Sequence, residues 1–116
     1  MDEQLATRDS QLLRGVLPML ILSTVHRGET YGYELVERLR ALGLADLATG
    51  VVYPVLSRFE RDGLVTARRV ASSGGPARKY YAITERGDAA RLDAIARWRA
   101  MTDIAERGID PEGASA

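Results

Sequence analysis

Three features of this 116-residue chain predict an α+β fold that is mostly helical. Apolar residues recur at helical spacing in three segments before residue 62, and again after residue 85. Two β-like runs lie between them, Leu64 to Val70 and Arg78 to Ile83. The tip that joins the runs, Ser72-Ser73-Gly74-Gly75-Pro76, reads as a long hairpin turn, because Gly supplies positive φ and Pro presets a bend. Basic residues flank that tip, Arg68 and Arg69 going out and Arg78 and Lys79 coming back. A cationic hairpin directly after a helix of the type Val51 to Asp62 is the pattern of a winged helix-turn-helix with a two-stranded wing. Residues 1–84 are expected to form that domain, 85–108 a C-terminal dimerisation helix, and 109–116 a disordered tail.

Ser10 or Asp9 is placed to cap a first helix that runs to about Val25. Leu12, Leu13, Val16, Leu17, Leu20, Ile21 and Val25 make it apolar nearly all round, so it needs packing on more than one side. Pro18 removes a backbone donor and is expected to kink the helix or delay its start. After the turn His26-Arg27-Gly28-Glu29, Thr30 is placed to cap a second helix, Tyr31 to Leu42. Leu35, Leu39 and Leu42 give it one apolar stripe, with Val36 beside it. Ala45 to Ala48 connect to a third helix, for which Thr49 is a suitable cap.

Val52, Leu56 and Phe59 form the core face of the third helix, at i, i+4 and i+7. The opposite face carries Gly50, Pro54, Ser57, Arg58 and Arg61. It is small at its start and cationic further along, which suits close approach to a duplex groove and contact with phosphates or guanine edges. Asp62-Gly63 ends the helix. Beyond the wing, Thr84 caps a last helix from Glu85 to about Arg107, stopped by Gly108 and Pro111. This helix has two apolar sets, Leu92 with Ile95, and Ala94, Trp98, Met101 and Ala105. Two apolar faces need two packing partners, and in so short a chain the second is most simply another copy of the molecule.

The formal net charge is zero, but it is unevenly spread. Residues 49–84 hold six basic side chains against two acidic ones, a local +4, and the segments before and after are each −2. Positive charge is concentrated on the third helix and the wing, where a polyanion would be met. There is no Cys, which excludes a disulfide framework and a thiolate metal site. The one His, His26, reads as a solvated loop residue. No nucleophile-base set, phosphate-cradling loop or spaced ligand pair is present, so neither an enzyme nor a cofactor is expected. The longest apolar run, Val16 to Leu22, is interrupted by Pro18 and too short to span a bilayer, and the start Met1-Asp2-Glu3 is no secretory signal. The expected location is the cytoplasm. A winged-helix module that binds protein in place of nucleic acid remains the alternative, and the local +4 argues against it.

Four blocks in register carry a family resemblance. They are Leu12-Leu13-Arg14-Gly15, Tyr31-Gly32-Tyr33-Glu34-Leu35, the run Gly50 to Val65 and the run Gly74 to Gly87. Together they resemble the PadR family of bacterial transcriptional regulators, from about Leu12 to Arg107. The departure is Val51-Val52, where the family more often has Thr-Leu. It bears on which bases are read. The resemblance implies a homodimer that represses promoters by binding an inverted-repeat operator in double-stranded DNA. It implies the short form, with one C-terminal helix for dimerisation. On that basis Thr49, Gly50, Val51, Tyr53, Pro54, Ser57, Arg58 and Arg61 fall on the DNA-reading helix. Tyr31 and Tyr33 fall at the start of the supporting helix, and Arg78 and Lys79 on the wing. Tyr often fills a core edge, so Tyr31, Tyr33, Tyr80 and Tyr81 can be packing residues; Tyr81 and Ile83 are read as core, and Tyr53 as a phosphate contact. Leu92, Ile95, Trp98 and Met101 are the dimer candidates. Trp98 has two readings: an interface anchor, or the wall of a site for a small aromatic effector, as in some multidrug-binding members.

Overall fold

The computed structural model describes residues 10–114. The chain runs α1 (Ser10–His26), β1 (Thr30–Tyr31), α2 (Gly32–Ala41), α3 (Thr49–Arg61), β2 (Val65–Ser72), β3 (Gly75–Ile83), α4 (Glu85–Ile109) and α5 (Pro111–Ala114). The strands form one antiparallel sheet in the order β1-β3-β2. The expected cap Asp9 lies outside the described residues, as do Met1 to Glu3 and the last two residues of the tail. Pro18 sits inside α1, which neither starts late nor stops there.

The buried core is one cluster. Leu13, Leu17, Ile21, Leu22 and Val25 come from α1, Leu35, Val36 and Leu39 from α2, and Val52, Leu56 and Phe59 from α3, closed by Val65 and Tyr81 of the wing. The apolar stripes of α2 and α3 therefore pack as their spacing requires, except at the end of α2. Leu42 is exposed, and the connection supplies Leu47 to the core. Arg40 holds that connection in place, donating from Nε (2.9 Å) and Nη2 (2.8 Å) to the Leu47 carbonyl.

Two expected caps are corrected. Thr30 is not the cap of α2; it is a buried strand residue opposite Tyr81, and its hydroxyl donates to Glu34 Oε1 at 2.7 Å. Tyr31 occupies the cap position, in extended backbone, with no side-chain cap bond. A two-residue strand has no periodicity to read, so only its pairing to β3 defines it. Thr49 is the first residue of α3, after an Ala48 cap that makes no side-chain bond.

The wing hairpin is tighter than its composition suggests. Ser72 pairs with Gly75, the register shifts between Val70 and Ser72, and the tip is only Ser73-Gly74, with Gly74 at φ +80°. One residue in the left-handed region suffices to reverse the chain.

The step from α3 to the wing is fixed by backbone bonds. Gly63 adopts φ +78°, its N–H donates to the Glu60 carbonyl (3.2 Å), and that of Leu64 donates to Phe59 (2.8 Å). This is the Schellman pattern, which satisfies the last carbonyls of a helix through a glycine. The same turn receives the start of α4. Thr84 donates its hydroxyl to the carbonyls of Gly63 (2.7 Å) and Leu64 (3.0 Å), and accepts the Gly87 N–H at 2.9 Å. Gly87 packs so closely that a Cβ there would collide with the Leu64 carbonyl.

His26 is exposed, as expected, but it belongs to a helix and not to a loop. It ends α1, and its Nδ1 lies 3.0 Å from Asp88 Oδ1 in the first turn of α4. The Arg91 hydrogen bond to Asp88 (2.8 Å) is the main reason that this carboxyl stays below its usual range. α4 passes through Gly108 to Ile109, and Pro111–Ala114 form one helical turn where a frayed tail was expected. Gly87 is the only buried residue on α4, and Leu92, Trp98, Met101, Ile104 and Ile109 stand exposed. At 1.5 Å per residue this 25-residue helix is about 37 Å long.

The junction predicts two unequal stability losses. Thr84→Ala removes the cap of α4 and should cost about 1 kcal/mol, with Thr84→Ser close to the parent. Gly87→Ala must push apart the α3–wing turn and should cost roughly 1–3 kcal/mol. Urea denaturation followed by circular dichroism measures both. A neutral Gly87→Ala would show that the close approach is relaxed in solution.

Candidate nucleic-acid interface

α3 presents the predicted face. Gly50, Val51, Tyr53, Pro54, Ser57, Arg58 and Arg61 are all exposed, and Thr49 is half-buried. Val51 and Tyr53 are notable, since 37% and 41% of these large side chains are open to solvent beside a buried Val52. Pro54 has no N–H to give the Gly50 carbonyl. Arg61 lies against Asp62 at 3.2 Å, whereas Arg58 makes no ion pair among the described residues.

On one flank of α3 a cleft of about 450 Å³ opens toward the wing, lined by Tyr31, Tyr33, Tyr53, Arg78, Lys79 and Tyr81. Its floor is Gly32. The Tyr53 ring lies so close to Gly32 that a Cβ there would collide with it. The start of α2 thus sets the position of Tyr53, which the sequence could not show because the pair is 21 residues apart. Tyr33 is exposed, Tyr31 half-buried and Tyr81 buried, so the tyrosines divide between surface and core.

Strand alternation separates the two wing cations that sit side by side in sequence. Arg78 lies 4.5 Å from the centroid of the Tyr31 ring. Tyr31 meets Tyr80 edge to face at 5.4 Å and 65°, and Arg68 follows at 5.8 Å from Tyr80. Arg68 ends this row with two bonds to Glu29, 2.7 and 2.6 Å. That pairing holds the Glu29 carboxyl below its usual range and raises the Arg68 guanidinium above its own. Lys79 belongs to the Tyr81 side of the sheet, 5.7 Å from that ring. Its Nζ donates to Glu60 Oε1 at 2.8 Å, and that bond raises the ammonium above its usual value.

The six basic residues of 49–84 are therefore not equivalent. Arg61, Arg68 and Lys79 each have a carboxylate partner. Arg58, Arg69 and Arg78 have no ion pair among the described residues. The partners Glu29 and Glu60 carried no signal in the sequence, because each contact spans 19 residues or more.

The dimer candidates occupy a different surface. α1 and α4 enclose a cavity of about 580 Å³, whose walls include Leu12, Val16, Met19, Leu22, Trp98 and Met101. Trp98 is 43% and Met101 62% exposed. Leu92 is exposed and Ile95 half-buried on other parts of α4, so the two apolar sets do diverge. Exposed Leu12 and Ile104, absent from the expected set, extend the apolar surface. Among the described residues no helix is long and apolar enough to cross a membrane, and no group of three or more His, Asp or Glu could hold a metal ion.

This arrangement has close relatives. The model of the transcriptional regulator PadR-like family matches residues 21–93. The crystal structure of a PadR-like transcriptional regulator from Bacillus cereus superposes with a TM-score of 0.76 at 35% identity, over 87% of this chain and 98% of that one. Transcriptional regulator YqjI of Escherichia coli is 35% identical over 75 residues, covering 63% of this chain but only 34% of that protein. Bacillus subtilis PadR in complex with operator DNA shares the fold at 24% identity and a TM-score of 0.62, over 69% of this chain and 45% of that one. The family match runs from the middle of α1 through α3 and the wing into α4. The chain belongs to the PadR-like family of transcriptional regulators.

Proposed function

We propose that this regulator binds an inverted-repeat operator in double-stranded DNA as a homodimer and represses transcription from it. The observation that carries the reading is the face of α3, where Tyr53, Pro54, Ser57 and Arg58 stand exposed beside a wing whose Arg78 has no carboxylate partner. The α3 helices of two protomers would enter successive major grooves, about 34 Å apart along the duplex. The Bacillus subtilis PadR complex with operator DNA supports the same use of this fold. The exposed apolar length of α4, with Leu92, Trp98 and Met101, supports assembly with a second copy. The α1–α4 cavity beside Trp98 favours one addition, a small aromatic effector that releases the operator. Ligand and DNA would then favour different spacings of the two reading heads. By linkage each would weaken the other by the same factor, commonly about 5- to 150-fold.

Arg78 and Lys79 should behave differently. Arg78→Ala is expected to weaken binding to all duplexes and to lower the slope of log K against log salt by about one. Lys79, already neutralised by Glu60, should change the slope less. Val51→Thr should re-rank operator sequences at little cost to overall affinity, because Val51 offers only an apolar contact of the kind made to a thymine methyl. Salt-series anisotropy on selected and random duplexes reads all three. Salt-independent binding would favour the protein-binding alternative.

Removal of residues 88–116 should leave a monomer or an insoluble chain. Light scattering would sink α4 as the dimerisation element by finding a soluble dimer that still binds its operator. Trp98, the sole tryptophan, reports on the effector. Quenching by planar cationic or phenolic compounds, with operator release, is the expected result. Without either, Trp98 is an interface anchor only.

A further inference from the structure

α3 has a second flank, away from the wing. There Arg14, Leu17 and Pro18 of α1 and Gly50, Pro54 and Arg58 of α3 border a cleft of about 470 Å³. Arg14 and Arg58 are both exposed, and neither makes an ion pair among the described residues. Seven other arginines, Arg38, Arg40, Arg61, Arg68, Arg91, Arg97 and Arg107, have carboxylate partners. No carboxylate lines the cleft, and its α3 wall begins with Gly50, which leaves room for an incoming group. Two guanidinium groups at the edge of an open cleft, without a counter-charge, suit an anion that accepts from planar N–H forks.

Duplex geometry identifies the anion. A helix in a major groove about 12 Å wide has a phosphate strand on each side. α3 has one cleft toward the wing, with Arg78, and one toward α1, with Arg14. We infer that the cleft between α1 and α3 seats a phosphodiester of the strand on the far side of the groove from the wing, with Arg14 as a backbone contact contributed by α1. The inference rests on the DNA-binding reading and extends it to a helix that the sequence treated only as core. Contacts on both sides fix how deep and at what angle α3 sits, which contacts from the wing alone cannot do.

The test uses the full chain with Arg14→Ala and Arg14→Lys. Anisotropy is measured over a salt series, on the selected operator and on a random duplex of equal length. Arg14→Ala should weaken both duplexes by the same factor, roughly tenfold for one lost charged hydrogen bond. Its salt slope should fall by about one. Arg14→Lys should keep the slope and lose part of the affinity, because an ammonium keeps the charge but not the fork. Light scattering and thermal unfolding of both variants should match the parent. Parent-like affinity and slope in Arg14→Ala would overturn the inference and leave the DNA reading intact. Weakened binding that appears only with a changed oligomeric state would also overturn it, since Arg14 would then serve assembly. A parent chain that binds neither duplex would overturn both.

Discussion

β3 is the element on which the candidate site depends. It is the central strand, bonded to β2 on one side and to β1 on the other. The β2 pairing makes the wing, and the β1 pairing ties the start of α2 to that wing through Thr30 and Tyr31. Because side chains alternate across a strand, β3 also sorts its residues by role. Lys79 and Tyr81 turn toward α3, where Tyr81 closes the core and Lys79 meets Glu60. Arg78 and Tyr80 turn outward into the row that ends at Arg68 and Glu29. A slip of one residue in this register would bury Arg78 and expose Tyr81. The buried Tyr81 and Val65 make such a slip costly.

Pairing of charges, more than their number, decides what the surface offers. The chain as a whole is neutral, and residues 49–84 are +4. Within that segment three cations are bound to carboxylates; Lys79 with Glu60 braces the wing against α3, Arg68 with Glu29 braces it against the loop after α1, and Arg61 pairs with its neighbour Asp62. Exposed pairs of this kind contribute little stability each, but they fix side-chain positions. The cations left without such partners, Arg58, Arg69 and Arg78, are spread over α3 and both wing strands. A polyanion would gain most from these, since contact with them displaces no internal carboxylate.

The fold was largely legible in the sequence, because its signals are local. Val52, Leu56 and Phe59 announced the buried face of α3, Thr84 its role as a cap, and Gly63 the end of a helix. What escaped has a common physical cause. β1 is two residues long and exists only through its pairing with β3. Leu47 replaces Leu42 in the core because Arg40 folds the connection back. The site was legible as a face and a wing, but not as an arrangement. The contacts Gly32–Tyr53, Glu29–Arg68, Glu60–Lys79 and His26–Asp88 all join distant segments. Arg78 and Lys79, neighbours in sequence, line one cleft but meet different partners, Tyr31 and Glu60, because their side chains alternate across β3.

In the proposed complex α3 enters a major groove, with backbone contacts on both sides of it. Hydroxyl-radical footprinting of the full chain on a selected operator tests this most directly, because it reads sugar protection on each strand independently of base preference. Protection is expected on both strands, in windows centred about one helical turn apart. Protection of a single strand, or none at concentrations where the duplex is bound, would contradict that arrangement.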